Sequence, residues 1–319
     1  MRALSGVTLT MAAMLALSSV GCSRVGQLRA ARNFKEANKA YQAQDYRQAV
    51  QLYEQALTDN PDLAVAHFFL GNSYDNQYKP SRKGDPANDQ LLTRAVEHYQ
   101  TAAEKLSGSN ENKAYGKLSL QYLVAAYGPD KLNDPAKAEP VVQRMIQIEP
   151  AEPENYFALA KIYEDAAVYD EAEQMLQYAK QAKPKDPAVY LQLAGFYNRQ
   201  GRFDKTIESL EQRAAIEPTN PEAFQTIAGY YWDETRGDSS LTENQKRDYV
   251  QKGLESVEKA LSLKTDYVEA ITFKGLLLRL QANLEKDPGK QQALLKEATA
   301  LSDKANGLRK AKATGASSN

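Results

Sequence analysis

The residues able to do chemistry are few. The chain of 319 residues has two histidines, His67 and His98, and one cysteine, Cys22. The histidines lie far apart in sequence and carry neither an HExxH nor another metal-ligand spacing, so no metal site is expected, and His67 beside Phe68 suits packing on an aromatic helix face. Acidic pairs such as Glu164 and Asp165 are common on solvated helix faces. No GxSxG elbow, phosphate-cradling loop or dinucleotide fingerprint occurs, so the expectation is a protein that is not an enzyme and needs no cofactor. Forty basic residues against 41 acidic ones give a net charge of −1, too little to draw the chain to nucleic acid. Hydrophobic residues at 42% allow a folded core. What remains is surface chemistry: amides and aromatic rings that hold another molecule without transforming it.

The cysteine has a context of its own. After Arg2 an apolar stretch runs from about Ala3 to Leu17, then small residues lead to Cys22. Serines and threonines make that stretch too short and too polar for a comfortable transmembrane helix, and its composition is that of an export signal, with an uncleaved anchor as the alternative. Leu17-Ser-Ser-Val-Gly-Cys22 resembles the lipobox of bacterial lipoproteins, although Ser19 stands where leucine is preferred. The resemblance implies a signal peptide over residues 1–21, a lipid on Cys22 and a tether over 22–29. It also implies export to a bacterial cell envelope, facing the periplasm from the outer membrane in a two-membrane cell, since Ser23 is not the aspartate that resembles an inner-membrane retention signal.

The elements that would position a binding surface are set by a repeat. Pro153, Pro187 and Pro221 recur every 34 residues, each after a polar residue (Glu152, Asp186, Asn220), as suits proline in a first helical turn. Pro150, Pro184 and Pro218 close the preceding helices. Between them Tyr156, Tyr190 and Phe224 share a register, as do Ala160, Ala194 and Ala228, and Tyr163, Tyr197 and Tyr231. Tyr156, Leu159, Ala160 and Tyr163 fall at i, i+3, i+4 and i+7, one apolar helix face. A turn near Tyr169 or Phe203 leads to a second helix, carried in the first case by Ala172, Leu176 and Ala179. Each period is therefore a helical hairpin, with small residues where two helices cross and large ones filling the grooves.

This pattern resembles the tetratricopeptide repeat. Ala37, Ala49, Tyr53, Ala56 and Pro61 fit a first unit; Leu70, Gly71, Tyr74, Ala95, Tyr99 and Ala102 fit a second. The resemblance implies an all-α, right-handed superhelical solenoid of about seven hairpins, with units near 30–63, 64–112, 113–152, 153–186, 187–220, 221–266 and 267–309 and a disordered tail over 310–319. Met145 and Arg213 stand where alanine is usual. Two polar insertions, over 78–92 and 232–249, fall at turns inside hairpins and are expected to project as loops from one edge.

In such arrays the first helix of each hairpin lines a concave surface, which implies a peptide or partner protein held there. The candidates are Phe34, Asn38 and Tyr41 in the first unit and Phe68, Asn72 and Asp75 in the second. Phe157, Lys161, Glu164, Asn198, Arg199, Gln225 and Trp232 follow in later units. Asn38 and Asn72 match a family position where an amide, donor and acceptor at once, grips a peptide backbone, and neither is expected in the packing register. Phe34 replaces the lysine of the carboxylate-gripping clamp, so capture of chaperone tails is not expected. The function implied is a membrane-tethered interaction scaffold. The alternative is a structural lipoprotein subunit of an envelope assembly, of the kind that builds pili or inserts outer-membrane proteins.

Overall fold

The computed structural model describes residues 25–106 and 112–313. Among them are fourteen α-helices: α1 (25–42), α2 (Tyr46–Asp59), α3 (Ala64–Asp75), α4 (Pro86–Leu106), α5 (Lys113–Tyr127), α6 (Pro135–Ile148) and α7 (Pro153–Asp165), then α8 (Tyr169–Ala182), α9 (Pro187–Arg199), α10 (Phe203–Ile216), α11 (Pro221–Gly237), α12 (Glu243–Leu263), α13 (Val268–Leu284) and α14 (Pro288–Ala313). They pack as about seven sequential hairpins in two compact units, the first ending at Pro150 and the second starting at Ala151. None of the described helices is long and apolar enough to cross a membrane.

Local chemistry starts several of the helices. Proline opens α6, α7, α9 and α11, and the side chains of Asp134, Asp186 and Asn220 accept from the backbone N–H of Lys137, Ala188 and Glu222, filling positions the first turn leaves without partners. The turn inside four of the hairpins is closed by one residue in the left-handed region: Gln44 (φ 60°), Asn133 (φ 54°), Ala167 (φ 57°) and Gly201 (φ 66°). That residue swings the next N–H back to a carbonyl of the first helix, as in Val168 N to Tyr163 O at 2.8 Å and Arg202 N to Tyr197 O at 2.9 Å. Only Gly201 adopts the conformation at no steric cost.

The cores follow the crossing pattern. Ala160, Ala194 and Ala228 are buried, and a Cβ added at Gly71 would stand 3.0 Å from both the Ala95 carbonyl oxygen and the Tyr99 ring. Leu193, Val189 and Phe196 of α9 pack with Leu176 of α8, tying one hairpin to the next through apolar burial.

Several expected boundaries differ. The segment over 78–92 is a loop only in its first half: exposed residues 79–84 include a short 3-10 turn at Pro80–Arg82, after which α4 starts at Pro86 and buries Leu92. Buried Asn88 pins the loop, donating through Nδ2 to the carbonyls of Lys79 (3.1 Å) and Arg82 (3.2 Å) and accepting from Lys79 N at 2.9 Å. Most of 232–249 is helical too, because α11 runs on to Gly237 and a Thr242–Gln245 capping box starts α12. Residues 25–29, assigned to a tether, lie in α1, and residues 310–313, assigned to a tail, lie in α14. Cys22 and residues 314–319 lie outside the described residues.

Candidate peptide-binding face

In the first unit the face made by α1, α3 and α5 is a run of aromatic rings. Phe69 of α3 stands 6.4 Å, centroid to centroid, from Phe34 and 5.2 Å from Tyr41, both on α1, and 5.3 Å from Tyr115 on α5. Phe68 continues the run to Tyr122 at 5.9 Å, which stacks on Tyr99 of α4 at 5.2 Å. Phe34, Tyr41, Phe69, Tyr115 and Tyr122 are half-buried, each keeping some surface in contact with solvent. Phe68 is buried, so the ring expected to meet a partner is a packing residue and its neighbour Phe69 takes that place.

The amides are tied to tyrosines. Tyr53 OH donates to Asn38 Oδ1 at 2.6 Å, and Tyr41 OH donates to Asn72 Oδ1 at 2.7 Å. Asn72 also accepts from Asn76 Nδ2 at 2.7 Å and donates through Nδ2 to Tyr99 OH at 3.3 Å. It is 2% exposed. Asn72 thus belongs to the packing after all: the helix face it occupies is covered by Tyr41 and Tyr99, and its hydrogen bonds fix those rings. Asn38 differs, because it is half-buried and its Nδ2 has no partner among the described residues. The Tyr115 and Tyr122 hydroxyls are likewise without described partners, leaving three donors along the ring surface. Asp75 is taken up internally, accepting from Lys131 Nζ at 2.5 Å with its side chain 7% exposed. Burial raises the pKa of Tyr41, Tyr53 and Tyr99, so these hydroxyls stay neutral donors.

The second unit's face has another character. Arg199 of α9 donates from Nε and Nη2 to the two carboxylate oxygens of Glu164 on α7, at 2.6 and 2.9 Å, and Lys161 pairs with Asp165. Asn198 is exposed, and Phe157 packs against the core between α7 and α9. Trp232 meets Phe273 edge-on at 6.0 Å while the Arg236 guanidinium covers its ring at 4.8 Å. Gln225 accepts from Tyr267 OH at 3.4 Å. The two predicted cations are therefore engaged with carboxylates.

Folding also joins the two histidines. Antiparallel pairing of α3 and α4 sets His67 Nδ1 3.0 Å from His98 Nδ1, with the Tyr74 ring stacked on His98. Burial, then the facing His67 and Arg94, lowers the His98 pKa to about 4; burial and Lys105 lower that of His67. Tyr74 OH is held between Glu54 and Arg94. No group of three or more metal-ligating side chains occurs among the described residues.

A tetratricopeptide repeat family model matches residues 131–190 and 169–230. No curated protein matches the chain. Among solved structures, the C-terminal part of a TPR repeat-containing protein from Cytophaga hutchinsonii is similar over 86% of this chain and 98% of its own, at 15% identity and a TM-score of 0.53. A tetratricopeptide repeat protein from Parabacteroides merdae covers 85% of this chain and 99% of its own at 14% identity, with a TM-score of 0.47. MamA covers 57% of this chain and 92% of its own at 18% identity, with a TM-score of 0.41. The repeat period and the hairpins it builds agree with the tetratricopeptide repeat match over residues 131–230, and the chain shares the helical-hairpin fold of the Cytophaga hutchinsonii structure.

Proposed function

We propose that the protein is an interaction scaffold that holds an extended segment of a partner protein on the α1–α3–α5 face, and that a lipid on Cys22 tethers it to a bacterial envelope membrane. The single observation that carries the binding reading is the half-exposed ring run from Phe34 to Tyr122 with three uncommitted donors beside it. Rings supply apolar burial at low entropic cost, and neutral donors meet backbone carbonyls whatever the partner's sequence. A surface of this composition suits a chain with little charge. The tether rests on the position of the cysteine after the apolar run and small residues.

Photo-crosslinking tests the binding reading. A crosslinking amino acid at Tyr122 or Phe34, with pull-down from native membranes, is expected to trap one partner that the same probe at exposed Asn198 does not. Equal trapping at all three positions would sink it. The tether is tested separately by the mass of the mature N-terminus: a diacylglyceryl-modified Cys22 supports it, an unmodified or uncleaved N-terminus refutes it.

A further inference from the structure

The hairpin of α5 and α6, like that of α9 and α10 with its Arg213, departs from the alanine pattern at one repeat position. Ala56 of α2, Ala102 of α4, Ala179 of α8 and Ala260 of α12 are fully buried there, whereas α6 places Met145. Beside Met145 is a cavity of about 300 Å³, whose apolar wall includes Leu120 and Ile148. Ile148 is 38% exposed, so the cavity opens to solvent. Two lysines and one glutamate also line it. Lys117 pairs with Glu149 at 2.7 Å, while exposed Lys113 pairs with no described residue. An apolar wall gives water few partners, and the uncompensated charge beside it is positive.

We infer that this cavity is a binding site for a small amphipathic anion, a single-chain alkyl carboxylate whose chain lies against Met145, Leu120 and Ile148 and whose carboxylate meets Lys113. The size sets the class: ligand pockets span roughly 300–1,000 Å³, so this one admits one short chain and not a two-chain lipid. The sign of the charge sets the head group. The cavity shares α5 with the α1–α3–α5 face, but none of the rings of that face lines it.

The test is a titration of the full chain with octanoate, decanoate and dodecanoate below their micelle concentrations, read by calorimetry and by the Met145 methyl resonance. Affinity is expected to rise roughly fourfold per added methylene and then level off once the cavity is full. Lys113→Glu should weaken decanoate at least several-fold and leave decanol unchanged. Ala114→Trp, at an exposed position lining the cavity, should abolish both; if that variant does not fold, the decanoate-to-decanol contrast in Lys113→Glu decides. An unmoved Met145 methyl, equal loss of acid and alcohol in Lys113→Glu, or affinity that climbs with chain length without levelling would each overturn the proposal.

Discussion

The first-helix faces of the two units use the same hairpin to opposite ends. In the unit ending at Pro150, tyrosines and asparagines are locked by neutral hydrogen bonds, Tyr41 to Asn72 and Tyr53 to Asn38, so the rings stand in fixed places with donors to spare. In the unit starting at Ala151, the equivalent helices carry Lys161, Glu164 and Arg199 in ion pairs, with Arg199 53% exposed. The Lys161–Asp165 pair is exposed on both sides, so it is screened by salt and contributes little to stability. A ligand there has to displace an internal partner, whereas on the first face it fills positions left vacant. Repeat architecture fixes where a surface lies; the residues between the packing positions decide whether it is open.

The largest effect on this contrast is expected from Asn72→Ala. It removes the acceptor of the Tyr41 hydroxyl and the donor to the Tyr99 hydroxyl at a buried site, and should destabilise by about 2 to 3 kcal/mol. Urea unfolding checks this as a lower midpoint at unchanged slope; a variant as stable as wild type would show that the amide is not structural.

The next effect is pH-dependent and confined to the first unit. His98 binds its proton near pH 6.5 when unfolded and near 4 when folded, so the unfolded chain holds more protons between those values. Stability is then full above about pH 7 and falls as pH drops from about 6.5 toward 4, by about 2 kcal/mol once partial exposure is allowed for. His98→Phe should flatten part of that slope in denaturant midpoints measured across the window. An identical slope in the variant would contradict the assignment.

Much of this is legible in the sequence. The 34-residue period, the alanines at helix crossings and the proline-led starts give the hairpins, because each reflects a local constraint that repeats. Depth within a face was not legible. Periodicity places Asn72 on the first-helix face, but only the neighbouring Tyr41 and Tyr99 bury it. Phe68 and Phe69 are adjacent in sequence, and only the helices packed on α3 decide which is covered. Tyr115 and Tyr122, missed as site residues, are spaced i, i+7, which was the available signal. The histidine pair needed α4 to fold back on α3, and the left-handed Ala167 hid because alanine gives no turn signal.

Smaller effects sharpen the second unit. A double-mutant cycle on Arg199→Met and Glu164→Gln should give a coupling below about 1 kcal/mol that shrinks in high salt. A larger, salt-independent coupling would mean the pair is structural. Smallest of all, Ala167→Gly removes a side chain from a φ of 57° and should stabilise by about 0.5 kcal/mol, the relief outweighing the added freedom of the unfolded chain. A lower melting temperature would show that the turn is not strained.

The most direct measurement of the central claim compares the affinity of the crosslinked partner for wild type and two double variants. Asn38→Asp with Tyr122→Ala keeps the acceptor that Tyr53 needs and removes a free amide donor and a ring. It should weaken binding by about tenfold or more, which is roughly 1.4 kcal/mol. Lys161→Ala with Arg199→Ala, on the ion-paired face, should change it by less than about twofold, within the ordinary scatter of surface substitutions. The reverse order, with binding lost on removing the cations and kept on removing the donor and ring, would contradict the account.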